Sequence, residues 1–470
     1  MLAAGKGQPL TMPACGLGRV HLIGIGGSGM SAIATLLIQM GCRVSGSDLR
    51  ASDATRKLES LGVRFYHGHR PENLGRPDLV VISTAVADDN PELQAARQRG
   101  FRVLRRIEML DLALRGKRTI AVSGSHGKTT TTSLLYRILR AARLDPTVVV
   151  GGTQPELGSN AELGKGDLAV VEADESDGSF LKLSPEIALA TNVDDDHLNY
   201  YGSFEGLVES FRRYLEGPGP AGLAVLCADD EHLAALAPRL STPRITYGLR
   251  ATADYTACHL SLEPRRVRFD VYHEPRFLGR VELPLPGEHN VLNALGALAV
   301  AHRLGVPFAV CREACREFPG VARRYQVWGA ARGITVMDDF GHHPTEIEAT
   351  LSTIAGEGYR RVVVVFQPHR YTRTERLHRD FGPPFRHADL VIVPPIFAAS
   401  EAPREGVTAD LIVSAIRELA GREVVPVSSL DTALEAVLQR AEPGDLVLTL
   451  GCGDVGELAP RILAALGREA

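Results

Sequence analysis

The 470-residue chain contains no run approaching the roughly 20 apolar residues that a bilayer-spanning helix needs. Its opening, MLAAGKGQPLTMPACGLG, lacks the long apolar core of a secretory signal, so a cytoplasmic protein is expected. It has no Lys/Arg-rich stretch, and 52 basic against 56 acidic residues leave a net charge of −4. Nucleic acid and polybasic attachment to membranes therefore have no electrostatic support. It also has no C-x-x-C pair. The seven cysteines, at 15, 42, 227, 258, 311, 315 and 452, are scattered and odd in number. That usage fits a reducing compartment better than a disulfide framework. Cys311 and Cys315 share a helical face with no nearby partner to complete a metal site, so plain packing is expected.

What is present is an α/β rhythm. Short apolar runs ending in Gly, Ser or Asp alternate with helical patterns, as in RVHLIGIGG, CRVSGSD and PDLVVISTAV with MSAIATLLIQMG and DATRKLESLG between them. Such alternation implies parallel sheets covered on both faces. The rhythm restarts at RTIAVSGS and again near GITVMDDFGHH. Between them RITYGL, ADYTACHLSL, RVRFDVYH and RFLGRVELPL follow one another as an expected antiparallel patch, before the helix HNVLNALGALAVAHRLG. Two restarts give three expected α/β domains, 1–116, 117–320 and 321–470.

Two glycine loops carry the chemistry. Gly24, Gly26 and Gly29 satisfy G-x-G-x-x-G between a strand and a helix, with Gly27, Ser28 and Met30 among them and Asp48 closing the next strand. That context fits a diphosphate on a helix N-terminus, with the acid at a ribose or base. It does not say which diphosphate, and NAD with a dehydrogenase activity is the obvious reading. The second loop, GSHGKTTTT, is a shortened Walker A sequence, with Gly124 where the full-length pattern would start at Val122. Backbone N–H groups of Gly124, Ser125, His126, Gly127, Lys128 and Thr129 can cup phosphates, Lys128 can reach the β/γ oxygens, and a hydroxyl can hold Mg²⁺. A dehydrogenase has no use for that loop. Together the loops point to a nucleotide-linked substrate in the first domain and ATP in the second. Two strand ends then deliver Glu172, Asp174, Glu175 and Asp177, and Asn192, Asp194, Asp195, Asp196 and His197. Hard oxygens of this kind suit Mg²⁺, which takes one or two protein carboxylates and leaves the rest as caps and solvated charges.

GSHGKTTTT, EADESDGSFLKLSPEIALATNVDDDHLNYYG, HNVLNALGALAVA, RRYQ, DDFGHHPTEIEATL and FQPHRYTRT together resemble the Mur ligase family, in order and over nearly the whole chain. The resemblance implies a Rossmann-like UDP-substrate domain, a central P-loop ATPase domain with the antiparallel patch, and a Rossmann-like third domain that closes over the site. It turns the first loop into a UDP diphosphate cradle. The implied reaction is an ADP-forming amide synthesis joining L-alanine to UDP-N-acetylmuramate through an acyl phosphate, in cytoplasmic peptidoglycan precursor synthesis, by a monomer or homodimer. A ligase that attaches a whole tripeptide to the same sugar nucleotide is the alternative within the family.

Residue by residue, the resemblance implies that Gly124 to Thr130 hold ATP, with Lys128 on the transferring phosphate. Thr129 and Glu172 would ligate one Mg²⁺ and His197 a second. Asn290 and Asn293 would lie near adenine, with Arg324, Asp339 and Phe340 also at ATP. His343, His369, Arg370 and Arg373 would line the acid and the incoming amino acid. The chain departs from the family pattern at Ser125 for Thr, Asn199 for an acid, Phe340 for Tyr and Cys452 for Ala. An NAD-dependent oxidoreductase and a non-catalytic nucleotide sensor remain the readings from other classes.

Overall fold

The computed structural model describes residues 16–154, 156–399 and 401–468. The opening segment weighed as a signal, with Cys15, lies outside the described residues, as does the side chain of Asn199. The chain divides into two compact units between Thr246 and Tyr247.

The first unit opens with five parallel strands, β1 (Arg19–Ile23), β2 (Arg43–Asp48), β3 (Arg64–His67), β4 (Leu79–Ile82) and β5 (Val103–Arg105), ordered β3-β2-β1-β4-β5. Every residue of β4, LVVI, is buried, as a strand covered on both faces requires. The strand order reverses between β1 and β4, the position where open α/β sheets receive ligands beyond the strands' carboxyl ends. The helix Ser28–Gln39 starts there, and the helix Arg106–Ala113 follows β5.

A second sheet in this unit contains β6 (Arg118–Ser123), β7 (Thr147–Gln154), β8 (Ser159–Glu162), β9 (Leu168–Glu172), β10 (Ile187–Ala190) and β11 (Leu223–Cys227), in the order β11-β10-β6-β9-β7-β8. β6 runs parallel between β9 and β10, so the loops after these three strands emerge side by side. The sheets are tied together within the unit. Asn160 Nδ2 donates to the Ser28 carbonyl at 2.6 Å, Leu163 N–H to Gln39 Oε1 at 2.7 Å, and Lys182 Nζ to Glu108 Oε1 at 2.9 Å.

β12 (Arg244–Gly248) carries the chain across the boundary. In the second unit β13 (Tyr255–Glu263), β14 (Arg266–His273) and β15 (Arg276–Leu283) form an antiparallel meander. RITYGL was expected to be antiparallel too. No tight hairpin follows it, and Tyr247 and Gly248 instead pair in parallel with Tyr255 and Thr256. The helix Glu288–Arg303 follows, then Phe308–Arg316, in which Cys311 and Cys315 are both fully buried as packing residues.

The last sheet contains β16 (Gln326–Ala331), β17 (Ile334–Asp339), β18 (Val362–Phe366), β19 (Leu390–Val393), β20 (Glu423–Pro426) and β21 (Leu446–Leu450), ordered β16-β17-β21-β18-β19-β20. VVVVF in β18 serves two cores at once. Val362, Val364 and Phe366 pack on one face with Ile347 and Leu351, whereas Val363 and Val365 pack on the other with Val437 and Ile462. β16 is antiparallel to β17 across Arg332 and Gly333, both at positive φ as a two-residue hairpin turn demands. The sequence reading started the third series one strand late, because arginine in that turn hides the usual Asn-Gly signal.

Cys227, Cys258, Cys311, Cys315 and Cys452 are free thiols, while Cys42 is disulfide-bonded. Among the described residues no helix is long and apolar enough to cross a membrane.

Candidate active site

The first loop is built around its glycines. Gly24, at φ +80°, and Ile25 donate their N–H groups to the Ser47 carbonyl at 2.8 and 3.1 Å. Gly26 N–H donates to Asp48 Oδ2 at 2.8 Å, and a Cβ on Gly26 would sit 2.9 Å from that oxygen. Asp48 Oδ1 accepts from Leu49 N–H. Expected at a ribose or base, Asp48 is thus also the brace of the loop. Gly27 caps the helix Ser28–Gln39 without a side-chain bond, so the N–H groups of Ser28, Gly29 and Met30 are presented to an anion. The sequence reading missed Arg106. Its guanidinium lies against Gly29, where a Cβ would come within 2.8 Å of Nη1, and its Nη2 lies 3.7 Å from Asp174 Oδ2.

The second loop is stitched to the strand end beside it. A Cβ on Gly124, at φ +136°, would lie 1.9 Å from Thr191 Oγ1, so only glycine fits. Ser125 N–H donates to the Asn192 carbonyl at 3.0 Å, and its hydroxyl accepts from Asp194 N–H at 2.8 Å. His126 N–H donates to Asn192 Oδ1, and His126 Nε2 lies 2.8 Å from Asp194 Oδ2. Serine in place of the family's threonine keeps the hydroxyl bond. Gly127, left-handed at φ +82°, opens the helix Lys128–Ala141, with Thr129 and Thr130 buried in its first turn.

Lys128 curls back over its own loop. Its Nζ donates to the carbonyls of Gly124 at 2.5 Å and Ser125 at 3.1 Å, and to Glu175 Oε1 at 2.9 Å. Burial alone would depress the ammonium, but Glu175, Asp174 and Glu172 outweigh it and hold Lys128 above its ordinary value. One lysine cannot satisfy three acids. Burial, with Asp174 adding to it, pushes Glu175 up to about 7 against the pull of Lys128. Among the acids named from sequence, Glu175 is therefore the one that touches the lysine, a contact that sequence spacing does not reveal.

Glu172 Oε2 accepts from Gly151 N–H at 2.8 Å, and a Cβ on Gly151 would come within 2.7 Å of Oε1. His197 occupies a left-handed position at φ +58°, with Nε2 3.4 Å from Asp196 Oδ2 and 3.8 Å from Glu175 Oε1. Carboxylate and hydroxyl oxygens around a phosphate loop are the donor chemistry that magnesium takes. The residues present fit ATP and Mg²⁺. Thr129 and Glu172 would hold one ion and His197 would stand at a second.

In the second unit, Asp339, Phe340 and His343 lie at or just after the carboxyl end of β17, and His369, Arg370 and Arg373 follow β18, whereas Asn290 and Asn293 stand apart on the helix Glu288–Arg303. Asp339 is buried, and its oxygens accept from Tyr325 N–H at 2.7 Å and Gly341 N–H at 2.8 Å. Burial raises its pKa, partly offset by Arg324. Two guanidiniums lie over the Phe340 ring, Arg323 at 5.1 Å and Arg324 at 5.0 Å from its centre. His343 opens the helix Pro344–Ala355, and its N–H reaches Glu346 Oε2 at 3.3 Å. His369 stacks on Phe397 and accepts at Nδ1 from Arg373 Nη1 at 3.0 Å. Arg373 is buried, and Arg370 stands at φ +68° at the start of the helix Tyr371–Leu377. Asn290 and Asn293 are bonded to each other at 3.3 Å, and Asn290 also donates to the Pro286 carbonyl at 2.7 Å.

Two glycine loops at helix starts in one compact unit, one with an acid-ringed lysine, have the geometry of an ATP-using enzyme with a second anion-binding loop. Three family models match in succession: the Mur ligase family catalytic domain over residues 19–118, the Mur ligase middle domain over 122–301, and the Mur ligase glutamate ligase domain over 323–453. The chain belongs to the Mur ligase family. It is 48% identical to a UDP-N-acetylmuramate–L-alanine ligase of Myxococcus xanthus over 95% of each chain. It is also 48% identical to the enzyme of that name from Pelotomaculum thermopropionicum, over 93% of this chain and 95% of the relative. Among solved structures, the UDP-N-acetylmuramate–alanine ligase of Thermotoga maritima superposes with a TM-score of 0.84 at 30% identity, covering 96% of this chain and all of that one. A murein peptide ligase of Psychrobacter arcticus superposes at 0.73 and 25% identity, covering 96% and 98%.

Proposed function

We propose that this chain is an ADP-forming ligase that joins L-alanine to UDP-N-acetylmuramate. The observation that carries the reading is the path between the two cradles. Arg106 lies against Gly29 and reaches Asp174, and Asp174 belongs to the acid group that holds Lys128. The relatives sharing 48% identity are named for this reaction, whereas the murein peptide ligase matches at 25%.

At neutral pH a carboxylate and an amine form a salt rather than an amide, so the acid must be activated. The substrate carboxylate attacks the γ-phosphorus of ATP, the bond to the β-phosphate oxygen breaks, and ADP leaves. The amine of L-alanine then attacks the acyl phosphate, loses a proton, and expels phosphate. The N–H groups of Gly24 to Met30 hold the UDP diphosphate, and those of Gly124 to Thr130 hold ATP. Lys128, released from Glu175 by the incoming phosphates, neutralises charge on the transferring group. Thr129 and Glu172 would hold one magnesium ion and His197 would stand at a second, and such ions would supply charge neutralisation when bound. His343, His369, Arg370 and Arg373 are assigned to the acid and the amino acid. Asn290, Asn293, Arg324, Asp339 and Phe340 are assigned to the nucleotide. The division into 1–116 for UDP-sugar, 117–320 for ATP and 321–470 for closure and the amino acid is part of the same proposal. So are a cytoplasmic location and a monomeric or homodimeric state.

The test is phosphate release from ATP with UDP-N-acetylmuramate, with and without L-alanine. Release that needs all three and is lost in Lys128→Ala carries the reading. Turnover only with L-Ala-γ-D-Glu-diaminopimelate moves the assignment to the tripeptide ligase. NADH binding with Lys128→Ala still active would move it to an oxidoreductase.

A further inference from the structure

Cys452 stands where the family pattern has alanine, and the second unit surrounds it with histidines. His342, His369 and Cys452 each offer one ligand atom, and these atoms lie within 4.8 Å of one another. They come from three different strand ends, after β17, β18 and β21, so the grouping is a product of the fold and not of sequence spacing. Two imidazoles and a thiol are the donor set of a borderline-soft cation such as zinc and not of magnesium, which takes oxygen. His342 is supported as a ligand needs to be, with Nδ1 3.2 Å from the Phe340 carbonyl, a contact that fixes the ring's orientation. We propose that His342, His369 and Cys452 form an inhibitory site for zinc or a similar borderline-soft divalent cation.

The inhibitory sign follows from Arg373. In the structure its Nη1 donates to His369 Nδ1, and a guanidinium has no acceptor to offer in return. An ion taken at Nδ1 displaces Arg373 directly. An ion taken at Nε2 places the ring proton on Nδ1, facing a donor. Either way the Arg373–His369 bond is lost, and with it the placement of a buried arginine assigned to the substrates. Tetrahedral zinc, with bonds of about 2.0–2.3 Å, brings its ligand atoms to roughly 3.5 Å from one another. From separations of at most 4.8 Å, the three side chains therefore need to draw in by no more than about an ångström. Binding forms a Zn–S bond and releases the thiol proton to solvent.

The consequence for activity rests on the proposed ligase reading, but the site itself does not. Cobalt(II) replaces zinc as a spectroscopic probe on the full-length chain, because a cobalt–thiolate bond gives a charge-transfer absorption independent of turnover. One cobalt per chain with that band in the native protein is expected. Cys452→Ala, the family's residue, and Cys452→Ser should lose the band and bind zinc at least about 100-fold more weakly, as loss of a direct ligand exceeds loss of a supporting contact. With saturating magnesium, zinc should inhibit native phosphate release, while both variants keep basal turnover and resist zinc. No thiolate band, or equal zinc affinity in Cys452→Ser with an unchanged thermal melt, overturns the site. A band that vanishes in the variants, together with no ligase turnover in any of them, keeps the ion site and removes only the ligase reading. Equal zinc inhibition of the native and variant enzymes overturns the inhibitory role.

Discussion

At the scale of single residues, the backbone geometry makes sharp demands. Gly124→Ala adds a methyl 1.9 Å from Thr191 Oγ1 at φ +136°, in a loop the P-loop reading cannot do without. A destabilisation of about 1–3 kcal/mol from the strained backbone alone is expected in urea melts, along with loss of ATP binding. Gly151→Ala is more selective. Its methyl would stand 2.7 Å from Glu172 Oε1, so Glu172 must swing away while the fold persists. The expected result is a raised magnesium requirement for phosphate release with little change in the affinity for UDP-N-acetylmuramate. An unchanged magnesium titration would remove Glu172 from the metal. His289 supplies a pH prediction. Burial, helped by the positive charge of Arg324, lowers its pKa to about 4. A depressed histidine contributes stability that is fully present above its unfolded value near 6.5 and is lost as pH falls through 4. The loss should be roughly 2 kcal/mol, below the full linkage value because the ring is partly exposed. Equilibrium melts between pH 7 and pH 4 should show it, and His289→Gln should flatten that part of the profile.

At the scale of elements, the sheets were legible and their stitching was not. LVVI, IALA and VVVVF are buried at every residue, so their uninterrupted apolar runs announced strands covered on both faces. The hairpin of β16 escaped because Arg332 fills a turn position that usually advertises itself with asparagine or glycine. Of the site, the glycine loops and Lys128 could be read from spacing, since phosphate binding needs consecutive N–H groups at a helix start. Arg106 and the pairing of Glu175 with Lys128 could not, because they join residues 77 and 47 positions apart in the chain, from Gly29 to Arg106 and from Lys128 to Glu175. A buried polar network in the first sheet belongs to the same class. His21 Nε2 meets Glu92 Oε1 at 2.7 Å, and the other oxygen of Glu92 takes the Ser47 hydroxyl and lies 3.2 Å from His69. The network links β1, β2 and the helix Pro91–Gln98 beneath the first cradle. Glu92→Ala would leave three buried or half-buried partners without this carboxylate, at a cost of about 1–3 kcal/mol for a buried group so orphaned, read in urea melts. A loss under 1 kcal/mol would show that the network holds nothing.

At the scale of the whole molecule, two glycine loops at helix starts suit a proposed reaction that must hold two anions while a third component is joined to one of them. The family membership, the arrangement of both cradles within the first compact unit, and the histidine–arginine group of the second unit fit a reaction that passes through an activated acid. The most direct measurement follows oxygen. With UDP-N-acetylmuramate labelled by ¹⁸O in its carboxylate, attack on the γ-phosphorus carries one labelled oxygen into the acyl phosphate, and displacement by L-alanine leaves it in inorganic phosphate. The account predicts one carboxylate-derived oxygen in each phosphate released. Phosphate free of label, or released without the sugar nucleotide, would contradict it.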